Sequence, residues 1–196
     1  MNWGVYCLIG LGSLLASRSR KAIFAVIISI AVLGASSYAY LASLPPHEGP
    51  KVSTVSPPLE FSIQLERADF EQGGLINASL TLTNTGNKTI GLSWGNGDIF
   101  DLIVEDANGT RIWRWGFFHA HINAVVDKAL SPDGSLAYYY WWDQRIPFEG
   151  MGPYPVGQVP KGTYFVKGSV FPFTLNVDGH VSNLSLETPT IAITIN

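Results

Sequence analysis

Leu80-Thr-Leu-Thr-Asn-Thr-Gly86 is followed by Ile90-Gly-Leu-Ser-Trp94, Asn96-Gly97, Phe100-Asp-Leu-Ile-Val-Glu-Asp106, Asn108-Gly109 and Arg111-Ile-Trp-Arg-Trp115. Leu80 and Leu82 alternate with Thr81 and Thr83, and Ile90, Leu92 and Trp94 keep the same period of two. That period puts the apolar side chains on one face of each short strand. Gly86, Asn96-Gly97 and Asn108-Gly109 supply residues that tolerate positive φ between β-branched and aromatic runs, which is hairpin-turn chemistry. The domain is therefore expected to be an all-β, antiparallel β-sandwich of about 7–9 strands.

The flanking text extends this pattern. Upstream, Leu59, Phe61, Ile63 and Leu65 alternate with Glu60, Ser62, Gln64 and Glu66, a strand with one wet face; Phe70 to Gly74 turn the chain into the Leu75 strand. Downstream, residues Gly116 to Leu130 hold Phe117, Phe118, His119, His121, Val125 and Val126 in no clean period, which predicts a long connection with room for one helical turn. Pro132-Asp133-Gly134 then leads into Ser135 to Trp142. Leu136, Tyr138, Tyr140 and Trp142 share one face of that strand, and Tyr139 and Trp141 share the other, so it is expected to be covered on both sides. Gln144 to Gly162 holds Pro147, Pro153, Pro155 and Pro160, an irregular loop with apolar tips at Phe148, Met151, Tyr154 and Val156. Strands follow at Thr163–Phe171, at Phe173–Val177 and Val181–Leu186 as a hairpin about Asp178-Gly179, and at Thr190–Ile195.

The amino-terminal quarter has a different composition. Ala22 to Leu44 is 23 residues without a charge, and about 20 apolar residues cross a bilayer core. Arg18, Arg20 and Lys21 precede it, so the positive-inside rule places residues 18–21 in the cytoplasm and everything after Leu44 outside. The expected organisation is a short segment 1–21 with a basic cluster, a transmembrane helix or uncleaved signal anchor 22–44, a Pro-rich linker 45–58 and a β-sandwich 59–196. A cleaved signal peptide is the alternative, with Ser37-Tyr38-Ala39 or Leu41-Ala42-Ser43 as the cleavage site and a secreted product. Trp3 to Ala16 reads as an interfacial helix, a tilted second span or an over-extended gene start. The predicted location is thus a single-pass cell-membrane protein with its carboxy-terminal domain outside.

Cys7 is the sole cysteine, so the outer domain must be held by its core without a disulfide. Asn77, Asn87, Asn108 and Asn183 each stand in an Asn-x-Ser/Thr sequon, all beyond the apolar segment, and are glycosylation candidates. After residue 44 the chain has nine basic against fifteen acidic residues, a net charge of −6. That balance disfavours nucleic acid or anionic lipid as a partner of the domain.

Leu82-Thr-Asn-Thr-Gly86, Phe100-Asp-Leu-Ile-Val104 with Asp106 and Gly109, Trp113-Arg-Trp115, Pro132 with Gly134, Trp142-Asp-Gln144 and Pro160-x-Gly162-x-Tyr164 follow one another in an order and spacing that resembles the BsuPI-like family of intracellular proteinase inhibitors. The resemblance implies an immunoglobulin-like sandwich and inhibition of a serine protease by protein–protein binding. It carries over no reactive-site residue.

Most matched residues also suit a fold. Trp113, Trp115 and Trp142 are large enough to dominate a sandwich core, and Asp101 and Asp143 can cap turns or pair with Arg114 or Arg111, which leaves function to the loops. His119 and His121 would share a face of an extended segment as a metal pair, and Asn96, Asp98 and Asp101 invite a calcium reading. No cysteine or second histidine cluster completes the first, and the twelve-residue loop is missing from the second, so no metal or cofactor is expected. A phosphate loop and His-Glu-x-x-His are absent from the sequence, and the expectation is a binding module with no catalytic residue. The expected protein-binding loops carry Phe148, Met151, Tyr154 and Val156, with Phe117 and Phe118 second. The competing expectation is a non-inhibitory structural or adhesion module of a cell envelope.

Overall fold

In a computed structural model the described residues are 49–95, 97–117, 124–146 and 156–196, all within one compact unit, His47–Asn196. The expected membrane segment, its basic cluster and the start of the linker lie outside the described residues. Among the described residues no helix is long and apolar enough to cross a membrane.

Alternation of apolar and polar residues builds a first sheet from β1 (Lys51–Ser56), β2 (Leu59–Leu65), β4 (Ile76–Asn84) and β9 (Ser135–Trp142), in the order β1-β2-β4-β9 and antiparallel throughout. Residues 51–58, expected as linker, are instead an edge strand and its turn. Lys51–Ser56 pairs residue for residue with β2, and its inward positions Val52, Thr54 and Ser56 are too polar to announce a period of two.

The second sheet is organised by β12 (Gly162–Val177), a 16-residue strand. Its first half pairs β6 (Phe100–Glu105) and β14 (Ile191–Ile195); its second half pairs β5 (Ile90–Trp94), and β13 (His180–Glu187) runs alongside. The sequence predicts two strands here because Pro172 interrupts the pattern. The structure keeps one, with a register shift against β13 between Val170 and Phe173, the irregularity at which a sheet accommodates proline. Beyond these lie β7 (Arg111–Arg114) beside β6, β8 (Val126–Leu130) beside β5, and β3 (Asp69–Phe70) parallel to β14. Val126–Leu130, expected within a long connection, is thus a strand; Asp127 and Lys128, exposed on its opposite faces, hide the alternation. Finally β10 (Arg145–Ile146) and β11 (Gly157–Gln158) form a two-residue ladder. The described residues hold 14 strands, more than expected because several are only two to four residues long.

The two sheets share one core. Phe61 stacks on Phe100 across it at 5.4 Å, and Trp113 meets Trp142 at 6.0 Å. Leu80, Leu82, Trp94, Trp142 and Val166 are wholly buried. The sheets approach closely at Gly168, where a Cβ would stand 2.6 Å from Leu80 Cδ2 and 3.1 Å from Phe61 Cζ, so only glycine fits. The Asp178-Gly179 hairpin has φ of 51° and 85°, the positive values its residues were expected to supply.

A candidate protein-binding surface on braced loops

Each motif residue carries a structural task. Asn84 is fully buried at the end of β4; its Nδ2 donates to the carbonyls of Lys88, Leu130 and Ser131 at 2.8, 3.0 and 3.1 Å, and its Oδ1 accepts from Gly86 N at 3.0 Å. Gly86 itself lies against Pro58, whose Cβ would be 2.8 Å from an added methyl. Asp106 Oδ1 accepts from the N–H groups of Asn108 and Thr110, closing the β6–β7 turn. The Tyr164 hydroxyl donates to Pro160 O at 2.7 Å, tying the start of β12 back on itself.

Two of these devices support the loops singled out from sequence. Asp101, 1% exposed on β6, accepts from Arg114 Nε at 2.6 Å and from Gly116 N at 3.0 Å. The Gly116 bond fixes the short 3₁₀ turn Trp115–Phe117. Arg114 in turn lies over the rings of Phe117 and Phe171, 5.5 and 5.6 Å from their centroids, cation–π geometry. Burial pushes the Asp101 carboxyl above its ordinary value, opposed in part by the Gly116 N–H and by Arg114. The result is Phe117 at 44% exposure on a pinned turn. Of the residues that invited the calcium reading set aside above, Asp101 has its carboxylate engaged by Arg114 and Gly116 N, and Asn96 lies outside the described residues.

Gln144 supports the other loop. It is fully buried with φ of 60°. Its Nε2 donates to Glu71 O and its Oε1 accepts from Gly73 N, both at 2.9 Å, while its carbonyl accepts from Val159 N at 2.9 Å and Gln158 Nε2 at 3.0 Å. Gln72 Nε2 donates to Val159 O at 2.7 Å. Ile146 is buried and pairs with Gly157, so the two ends of segment 147–156 are clamped together. Val156 at its end is 51% exposed. Phe118, Phe148, Met151, Tyr154, His119 and His121 lie outside the described residues. Asn77, Asn87, Asn108 and Asn183 are all exposed.

Strand β9 differs from expectation. Tyr140 and Trp142 are buried, but Tyr139 is 82% and Trp141 50% exposed, so its second aromatic face is not covered among the described residues. Alternating aromatics on both faces read alike in sequence whether the second face meets a layer or water. Trp115 stands edge-on to Tyr140 and Trp141, at 5.2 and 6.0 Å. Among the described residues no group of three His, Cys, Asp or Glu side chains could hold a metal ion.

Comparison with known proteins returned no match among curated proteins. Among solved structures, the C-terminal domain of wzt is 6% identical with a TM-score of 0.39, covering 78% of this chain and 82% of that one. A β-glucosidase from Listeria innocua in complex with glucose is 9% identical with a TM-score of 0.37, covering 73% of this chain but only 16% of the glucosidase. A CARDB domain from Pyrococcus furiosus in complex with di-metal ions is 12% identical with a TM-score of 0.34, covering 79% and 94%. The family of intracellular proteinase inhibitors named BsuPI matches residues 63–171. This range takes in the Asn84 clasp, the Asp101–Arg114 pair, Gln144 and the Tyr164 tie, and on that match the chain belongs to the BsuPI family.

Proposed function

We propose that this chain inhibits a serine protease by binding it as a protein, with segment 147–156 and the Phe117 turn making the contact, and that residues 22–44 anchor it with the domain outside the membrane. The family match over residues 63–171 carries the inhibitor reading. Clamped roots favour the loop assignment: a segment whose ends are already ordered loses less entropy on binding, and its apolar residues, of which Val156 is 51% exposed, supply the contact. The anchor rests on the 23-residue uncharged run behind a basic cluster, and departs from the intracellular location in the family's description.

The test is a titration of the purified full chain against serine proteases, subtilisin-like ones included, following residual activity and cleavage of the chain. Stoichiometric inhibition by uncleaved protein is expected, and deletion of residues 147–156 should abolish it while leaving the thermal transition in place. Inhibition unchanged by the deletion would sink the loop assignment. No inhibition by an intact, protease-resistant chain would favour the second reading, a structural or adhesion module of the envelope. That reading draws on Asn84, Asp101, Asp106, Gln144 and Tyr164, motif residues whose side chains are engaged within the fold. The anchor has its own check: the full chain should stay with membranes through alkaline carbonate extraction, and a variant lacking 22–44 should not. Release of both would refute it.

A further inference from the structure

We propose that the outer face of the four-stranded sheet is a binding site for a neutral oligosaccharide, with Tyr139 and Trp141 as its stacking platform. Strand register sets two parallel rows across this face. Tyr139 lies opposite Ser79, and Ser79 opposite Gln64; Trp141 lies opposite Asn77, with Glu66 on the far side of Asn77. Each row therefore runs from a carboxylate or amide, through an amide or hydroxyl, to an aromatic ring. These six side chains line a groove of about 360 Å³, within the range of small-ligand sites.

The chemistry of the rows selects the occupant. Two residues apart on one strand face, Tyr139 and Trp141 lie about 7 Å from each other, side by side on the same face. A pyranose offers a C–H face to an aromatic π-surface and directs its hydroxyls sideways, where amides donate and accept and a carboxylate accepts. Trp141 is braced edge-on by Trp115 at 6.0 Å, and Asn77 Nδ2 donates to Glu66 Oε2 at 2.9 Å, so platform and polar flank are ordered before a ligand arrives. Glu66 is the one charged residue among those lining the groove. The lining itself holds no cation, Lys51 standing beyond it opposite Gln64, so phosphate, sulfate or uronate in the groove would meet the Glu66 carboxylate, which favours a neutral ligand. The site uses the sheet face, so it is independent of the loops assigned to protease binding.

The test uses the full chain made in a host that adds no N-glycans, which leaves Asn77 bare. Cellohexaose, chitohexaose and mannohexaose are titrated by calorimetry and by tryptophan fluorescence, with a heparin hexasaccharide and decaproline as counter-probes. At least one neutral hexasaccharide should bind with Kd below about 1 mM, and Trp141→Ala and Tyr139→Ala should each weaken it about tenfold or more without moving the thermal transition. Tyr139→Ala alone suffices should Trp141→Ala disturb the packing of Trp115. Absence of binding by all three neutral sugars would overturn the proposal. So would binding indifferent to both substitutions, or capture of heparin or decaproline in their place.

Discussion

Arg114→Ala is expected to lower unfolding free energy by about 3–5 kcal/mol, because it strands a buried carboxylate. Asp101 is 1% exposed and has Arg114 and Gly116 N as its partners. Removing the guanidinium leaves one backbone donor to offset the desolvation. The pH dependence follows from the same group. Burial already raises the Asp101 carboxyl in the folded protein, and without Arg114 it rises further. A carboxyl whose folded value lies above its unfolded one contributes most below the unfolded value, and the contribution is lost as pH rises through the folded value. The gap between variant and parent should therefore be widest at neutral pH and narrow on acidification towards the ordinary carboxylate range. Urea denaturation of both proteins at several pH values checks this. A gap constant with pH would assign the loss to the packing of Arg114 against Phe117 and Phe171 instead. The double substitution Asp101→Asn with Arg114→Met should recover much of the loss, since no charge remains buried.

Asn84→Ala is expected to cost about 3–4 kcal/mol, through buried carbonyls left without a donor. One amide satisfies three carbonyls and one N–H drawn from three stretches of chain: the β4–β5 turn, the end of β8 and the approach to β9. Asn84→Asp tests the same clasp more sharply. It keeps the size and the bond to Gly86 N but turns two donors into an acceptor facing carbonyl oxygens, and should be at least as destabilising. Thermal unfolding of the two variants measures it. A loss below about 1 kcal/mol for both would mean that water replaces the amide.

Together these variants define what the family motif does. Asn84, Asp101, Gln144 and Tyr164 are anchors between strands and turns, each answering a backbone or charge that the fold would otherwise bury unpaired. A motif made of such residues travels with the fold through any change of partner. On the readings proposed above, specificity belongs to the Phe117 turn, to segment 147–156, whose flanking residues Ile146 and Gly157 pair, and to the exposed face of β9.

The strands that bury one side in a continuous core were legible in the sequence. Leu59 to Leu65, Leu80 to Leu82 and Ile90 to Trp94 alternate with a period of two because one face meets apolar neighbours and the other meets water, and each inward residue named from that period is buried. The tight turn at Asp178-Gly179 was equally plain, since few residues tolerate its backbone. Where the period failed, so did the reading: β1 and β8 carry polar residues on both faces, and Pro172 hides the continuity of β12, whose ladder depends on partners far away in the chain. The pairing of Asp101 with Arg114 was among the readings of the sequence, but three features lay beyond any local pattern: the grip of Gln144 on residues near 71–73, the convergence of three carbonyls on Asn84, and the exposure of Tyr139 and Trp141. Each depends on which strands become neighbours, and long-range pairing decides that by juxtaposing groups whose order in the chain gives no sign of it.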